Sequence, residues 1–103
     1  MAMDMNKMMK QARKMQEELA KAQAEAAQMT AEGTAGGGVV SAVVNGESMI
    51  ESIKIDPSVV DPEDVEMLED LIVAAINEAL RTIQEQTAAK MNAITGGLNI
   101  PGL

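Results

Sequence analysis

Apolar residues recur at alternating intervals of three and four along the first quarter of the chain. The series is Met5, Met8, Ala12, Met15, Leu19, Ala22, Ala26 and Met29. This spacing is typical of a helix that packs against another helix along a narrow seam. No Gly or Pro interrupts the series, and most of the residues between its members are good helix formers. The pattern predicts a first helix over residues 5–29.

Short β-branched runs follow a glycine-rich stretch. Residues 39–44 and 48–55 predict two strands. Asn45-Gly46 lies between them and predicts a type I′ hairpin turn, in which both residues have positive φ. Because two strands alone are marginally stable, residues 30–35 are a candidate third strand. We expect a sheet over residues 30–55 with one face under helices and the other in solvent.

A second helix is predicted over residues 61–95. Asp61 is its expected N-cap, with Pro62 in the first helical position. Apolar residues continue at helical spacing as far as Ile94, and two glycines then predict the end of the helix. The apolar tail over residues 96–103 has no period and is expected to fray. The order of elements predicts an α+β domain with a long helix, a three-stranded antiparallel sheet and a second long helix.

The composition indicates a thin core. The chain has 103 residues, enough for one domain. Of its 48 apolar residues, 16 are Ala and 10 are Met, which leaves 22 Val, Ile and Leu and no aromatic ring. Small domains with little core usually rely on disulfides, metals or oligomerisation, and this chain has no Cys and no His. We therefore expect a second copy of the chain to complete the core in a homodimer.

The absent residue types also limit the chemistry. Without Cys and His there is no thiolate nucleophile, no thiolate zinc site and no imidazole general base. The run Gly36-Gly37-Gly38 lacks the Lys of a phosphate-binding loop and favours a flexible or bulged strand entry. The acidic residues near Asp61 lack the spacing of a calcium loop and are explained by helix capping. We expect no catalytic residue, no metal, no cofactor and no small-molecule substrate.

No segment resembles a signal peptide or a membrane span. The longest strictly apolar run has six residues, Leu71–Ile76. A helix that crosses a bilayer needs about 20 apolar residues, and the h-region of a signal peptide needs about 7 or more. We therefore expect no membrane partner.

Charge is distributed unevenly. The net charge is −8, but residues 1–14 hold four basic residues against Asp4 and carry +3, so residues 15–103 carry −11. The side of the first helix opposite the apolar seam carries lysines within roughly 60° of one another: Lys7, Lys10, Lys14 and Lys21. Without aromatic rings to stack on bases, this basic stripe favours phosphate contacts to a duplex over single-strand binding. A merely solvated helix face is the alternative.

The order of residues in several blocks carries more information than their periodicity. The blocks are residues 8–18, 35–40, 45–46, 53–57, 60–72, 96–98 and 101–103. The longest reads Val-Asp-Pro-Glu-Asp-Val-Glu-Met-Leu-Glu-Asp-Leu-Ile. Together they resemble the YbaB/EbfC family of bacterial nucleoid-associated proteins over nearly the whole chain.

The resemblance implies a tweezers-like homodimer whose projecting helices grip and bend double-stranded DNA. It also implies a cytoplasmic, nucleoid location and no enzymatic activity. Carried over to this chain, the implied DNA-binding residues are basic residues of the two helices: Lys7, Lys10, Arg13, Lys14, Lys21, Arg81 and Lys90.

We therefore expect a nucleoid-associated protein that binds double-stranded DNA through phosphate contacts with low sequence specificity. The main alternative is an interaction adaptor whose first helix forms a coiled coil with a protein and does not contact DNA. A small enzyme that uses only carboxylates is a third option. Binding by an adaptor would be insensitive to salt, whereas phosphate contacts weaken steeply as salt rises.

Overall fold

Two long helices flank a three-stranded antiparallel sheet in the computed structural model of the chain, which describes residues 4–96. The elements in chain order are α1 (Met5–Gln28), β1 (Thr30–Ala35), β2 (Val40–Asn45), β3 (Ile50–Ile55) and α2 (Val65–Gly96), with a single 3-10 turn at Pro57–Val59. The strands lie in the order β1-β2-β3. This arrangement confirms the predicted α+β fold, including the third strand at residues 30–35.

The first helix projects from the rest of the molecule. Asp4 caps it, because the Asp4 carboxylate accepts hydrogen bonds from the backbone N–H groups of Asn6 (3.0 Å) and Lys7 (3.4 Å). Only Ala22 and Ala26 of α1 are buried. The radius of gyration is 20.7 Å, whereas a compact domain of this length has roughly 13 Å. Residues 5–17 of α1, here called the arm, therefore extend away from the sheet without burying any residue.

The core lies between α2 and the first two strands. Alternate residues of β2 are almost completely buried, and α2 places small residues and one isoleucine against them. The buried set is Ala31, Val40, Ala42, Val44, Ala75, Ala79 and Ile83. The approach of the helix is close because a β carbon added at Gly33 would overlap the Ala75 carbonyl oxygen and the Ala79 amide nitrogen. At Gly33 the backbone of β1 therefore lies directly against the backbone of α2.

The hairpin between β2 and β3 lies where it was predicted, but the prediction of a type I′ turn is wrong. Gly46 does not have positive φ, and Ser48 is the residue with φ of 62°. The Asn45 side chain organises the loop by accepting hydrogen bonds from the N–H groups of Glu47 (2.9 Å) and Met49 (3.1 Å). The run Gly36–Gly38, predicted as a strand entry, is the β1–β2 turn, and its three residues all have positive φ.

Strand β3 is one of the two edge strands of the sheet, and every one of its residues is exposed. Its isoleucines pair directly with buried residues of β2, as Ile50 with Val44, Ile53 with Ala42 and Ile55 with Val40. Directly paired residues lie on the same face of a sheet, so these isoleucines lie on the face that α2 covers over β1 and β2. The expectation of one sheet face under helices therefore holds for two strands and is wrong for β3.

The second helix begins at Val65, so the prediction of Asp61 as its N-cap and Pro62 as its first residue is wrong. Asp64 is the cap, because its carboxylate accepts from the N–H of Met67 at 3.3 Å. The Asp61 side chain instead closes a turn before the helix. The helix continues through Gly96, the last described residue, so the expectation of a frayed tail lies outside the described residues. Within residues 4–96 neither helix is long and apolar enough to cross a membrane.

Candidate nucleic-acid interface

Four of the predicted basic residues lie together on the arm. Lys7, Lys10, Arg13 and Lys14 are all exposed, and no acidic side chain of residues 4–96 pairs with any of them. At 100° per residue their positions fall within about 120° of one another, which places them on one broad side of the helix. Lys10, Arg13 and Lys14 line a shallow groove of about 410 Å³ together with Glu17. The arm thus presents an exposed cationic surface, which we call the basic face.

A neighbouring groove of about 390 Å³ adds two residues that sequence reasoning did not single out. Asn6 and Met9 line it together with Lys10 and Arg13. The i, i+4 spacing of Met9 and Arg13 could have indicated that these side chains are neighbours on the helix surface. Glu17 was also missed, and its i, i+3 and i, i+4 spacing from Lys14 and Arg13 is the corresponding signal.

Two further predicted residues lie where α1 meets α2. Lys21 and Lys90 line a groove of about 240 Å³ together with Glu18 and Glu25. Lys90 Nζ lies 2.8 Å from Glu25 Oε2. The hydrogen bond and charge of Lys90, with a smaller effect of Lys21, hold the pKa of the Glu25 carboxyl below its ordinary value of 4.5. This groove contains two positive and two negative side chains, so it attracts phosphate less than the basic face does.

Arg81 does not join either group. It is exposed on the part of α2 that crosses the sheet, between the buried residues Ala79 and Ile83. The structure therefore brings four of the seven predicted residues together on the basic face, places two in the groove between the helices and leaves Arg81 apart.

Acidic residues concentrate at the opposite end of the molecule. Residues 55–80 contain eight Asp and Glu and no Lys or Arg. From the Lys90–Glu25 ion pair the two helices run antiparallel, since Ile94 lies near Glu18. The start of α2 lies 25 residues from this pair in one direction and Lys10 lies 15 residues from it in the other, so roughly 60 Å of helix separates them at 1.5 Å per residue. Among residues 4–96 no acidic side chains cluster closely enough to hold a metal ion.

A family model described as the YbaB/EbfC DNA-binding family matches residues 1–98. The chain belongs to this family. Two of its curated relatives carry the name nucleoid-associated protein. One, from Thermoanaerobacter pseudethanolicus, is 58% identical over 100 residues, which cover 97% of this chain and 90% of the relative. The other, from Caldanaerobacter subterraneus, is 57% identical with the same coverage. The family and these names belong to DNA-binding, nucleoid-associated proteins rather than to enzymes.

The crystal structure of an uncharacterized protein from Helicobacter pylori has a similar fold. Its TM-score with this chain is 0.67, its sequence identity is 23%, and the match covers 85% of this chain and 92% of the other. At this identity the similarity concerns the fold alone.

Proposed function

We propose that this member of the YbaB/EbfC family is a non-enzymatic protein of the bacterial nucleoid that binds double-stranded DNA through phosphate contacts from the arm. The observation that carries the proposal is the basic face, where four exposed cations without an ion-pair partner among residues 4–96 lie on a projecting helix. The names of the relatives support a location at the nucleoid, in the cytoplasm.

The chemistry of the basic face favours low sequence specificity. Three of its four cations are lysines, whose ammonium groups act as flexible point charges rather than as a planar fork matched to a base edge. Contacts to phosphate position a protein on the duplex and carry no sequence information directly. Residues 5–17 of the arm span roughly 20 Å at 1.5 Å per residue, which is enough to follow several phosphates along one groove.

We also propose that the protein acts as a homodimer that is held together through β3. Ile50, Ile53 and Ile55 are 49%, 39% and 37% exposed although they lie on the core face of the sheet. An exposed apolar edge strand invites pairing with another chain, and soluble proteins usually cover or blunt such edges. A second copy would cover these isoleucines and would present a second arm. Two arms on one duplex could then bend it.

The dimer can be tested with one substitution on each face of β3. Ile53→Lys places a charge on the uncovered core face and should convert the dimer to monomer in sedimentation equilibrium at micromolar concentration. Ser52→Lys is the matched control, because Ser52 lies on the opposite face of the same strand, and it should leave the dimer intact. A parent chain of monomer mass would contradict the proposal, as would an unchanged dimer in Ile53→Lys.

DNA binding can be tested by fluorescence anisotropy titrations with a labelled duplex at several salt concentrations. Lys10→Ala and Lys14→Ala should weaken binding to all duplexes about equally. Each should lower the log–log salt slope by roughly one, or by two where both subunits engage. Glu17→Gln removes the negative charge in the same groove and should strengthen binding. Lys54→Ala, on β3, is the control for loss of a distant cation.

Two results would contradict this proposal. One is parental affinity and salt slope in Lys10→Ala and Lys14→Ala. The other is binding that does not weaken as salt rises. Either would favour the coiled-coil adaptor, in which the arm contacts a protein. Bending is measured separately, by energy transfer between dyes at the two ends of a short duplex, and an unchanged transfer efficiency on saturation would exclude it.

A further inference from the structure

Methionine is the readily oxidised side chain of this protein. The chain has no Cys, Trp, Tyr or His, but it has 10 Met. Six of these lie within residues 1–15, the segment that also carries the basic face. Of those that the structure describes, Met5, Met8 and Met9 are 72%, 47% and 55% exposed. Oxidant in solution can therefore reach thioether sulfur atoms on the arm.

Met8 and Met9 are similarly exposed but face different surroundings. Met9 lines the groove that also contains Lys10 and Arg13. Met8 lies about 100° further round the helix, on the apolar seam with Met15 and Leu19. Oxidation at these two neighbouring positions should therefore have different consequences, because only Met9 lies beside the cations of the basic face.

We propose that Met9 is a modification site at which peroxide oxidation lowers the affinity of the arm for DNA. The Met9 sulfur attacks one oxygen of hydrogen peroxide, an S–O bond forms, the O–O bond breaks and water leaves. Sulfur is oxidised to the sulfoxide and peroxide is reduced. Methionine sulfoxide reductases reverse this modification, so the site can be reset.

The effect on DNA binding follows from the groove chemistry and rests on the proposed function. A sulfoxide oxygen is a strongly polar acceptor, whereas the thioether is apolar and a weak acceptor. Within residues 4–96 neither Lys10 nor Arg13 has an acidic partner, so both have donors available. A sulfoxide on Met9, one helical turn from Arg13, would accept a charge-assisted hydrogen bond from the guanidinium. That bond competes with a DNA phosphate for the same donors.

The test combines oxidation mapping with DNA titration on the same samples. The full chain is treated with increasing hydrogen peroxide, and sulfoxide at each Met is quantified by peptide mass spectrometry. Met9 should be oxidised before Met29, which packs against the core. At full Met9 oxidation, affinity for a labelled duplex should fall by about threefold to tenfold. The salt slope should fall by about one, or by about two where both subunits engage, as for one lost phosphate contact per arm. Treatment with reductase should restore both.

Two leucine variants separate Met9 from its neighbour. Met9→Leu keeps the size, apolarity and helix propensity of the side chain but cannot be oxidised to a sulfoxide. Its affinity for DNA and its salt slope should not change when it is treated with peroxide. Met8→Leu should bind normally and remain peroxide-sensitive. Far-UV circular dichroism of each oxidised sample should show unchanged helix content, so that loss of the fold is not mistaken for loss of binding.

Several outcomes would overturn the proposal. These are slower oxidation of Met9 than of Met29, full Met9 oxidation with unchanged affinity, and peroxide sensitivity that persists in Met9→Leu. A fall in affinity that coincides with loss of helix would also overturn it. If the unoxidised parent does not bind duplex DNA, the proposed function is itself wrong. The oxidised samples are therefore always compared with an unoxidised one in the same titration.

Discussion

Replacement of Gly33 by Ala should destabilise the protein strongly, although rules of local structure indicate the opposite. Glycine inside a strand is usually worse than alanine by roughly 0.5–1 kcal/mol, because glycine loses more conformational freedom on folding. A β carbon at Gly33, however, would overlap main-chain atoms of Ala75 and Ala79 and would lie 2.9 Å from the Ala79 α carbon. All three are backbone atoms of α2, so no side-chain rotation can relieve the overlap.

The size of the effect follows from the displacement that the overlap demands. Non-bonded carbon atoms pack at about 3.5–4.0 Å, so α2 must move away from β1 by roughly 1 Å. A gap of that size removes a quarter to a half of the dispersion attraction between the atoms that it separates. The affected contacts include those of Ala31 and Ile83, which are 5% and 1% exposed. Overpacking typically lowers the free energy of unfolding by about 1–3 kcal/mol. Because a backbone clash lies at the upper end of this range, we expect Gly33→Ala to lower it by about 3 kcal/mol.

Equilibrium unfolding in urea measures this loss. For small proteins the free energy of unfolding falls by about 1–3 kcal/mol per molar urea, so the midpoint should fall by about 1–3 M. Parent and variant must be compared at one chain concentration, since association would make the midpoint depend on it. Glu32→Ala is the matched control, because it places the same residue on the exposed face of the same strand and should change stability by less than about 0.5 kcal/mol. A Gly33→Ala midpoint equal to or above that of the parent would refute the reasoning.

Three further substitutions test other parts of the fold. Gly46→Val should cost more than about 1 kcal/mol in urea unfolding, because a β carbon there would overlap the backbone of Ala26 in α1; an unchanged midpoint would show that the loop can move away. Asp64→Ala removes the cap of α2 and should lower stability by about 1 kcal/mol in the same assay. Lys90→Met removes the partner of Glu25, whose pKa is lower in the folded protein than its ordinary value of 4.5. The ion pair therefore stabilises the fold above pH 4.5, and this stabilisation is lost as pH falls through the pKa of Glu25 in the folded protein. The difference in melting temperature between parent and variant should therefore be present at neutral pH and vanish in acid.

The sequence predicts well those parts of the fold that depend on neighbouring residues. The uninterrupted run of helix formers from Met5 to Gln28 is enough to predict α1, and the β-branched residues of β2 are enough to predict a strand. The start of α2 is harder, because Asp61 and Asp64 are both good caps only three residues apart. The backbone N–H of Asp64 donates to the carbonyl of Asp61 and closes a turn that delays the helix.

Features that depend on distant contacts could not be predicted in this way. Asn45-Gly46 has the sequence of a type I′ turn, but glycine is required at position 46 because α1 passes against it rather than because of its φ. Gly33 is likewise required by Ala75 and Ala79 of α2, which are more than forty residues away in sequence. The exposure of β3 depends on the path of α2 across the other two strands, and the isoleucines of β3 give no local sign of it.

The residues of the candidate interface differ in the same way, since some can be predicted from neighbouring residues and others depend on distant contacts. The basic face follows from helical geometry alone, since 100° per residue is enough to group Lys7, Lys10 and Lys14. Only the family resemblance points to Arg81 and Lys90, because helical geometry on α1 does not show whether residues of α2 face the same partner. The structure leaves Arg81 exposed on the part of α2 that crosses the sheet and pairs Lys90 with Glu25, so the two residues differ in their availability to phosphate.

An acidic protein can bind DNA if its charges are far enough apart. The net charge of −8 suggests repulsion, but eight of the acidic residues lie within residues 55–80, separated from Lys10 by roughly 40–60 Å of helix. The Debye length is about 8 Å at physiological ionic strength, so exposed charges at that distance are almost completely screened. A phosphate at the basic face is therefore influenced by Lys10, Arg13 and Lys14, and among nearby acids chiefly by Glu17. The net charge of the whole protein affects DNA binding only at low salt, where the distant acidic end would oppose the approach of the protein to DNA. Even then, the local cations would determine which part of the molecule touches the duplex.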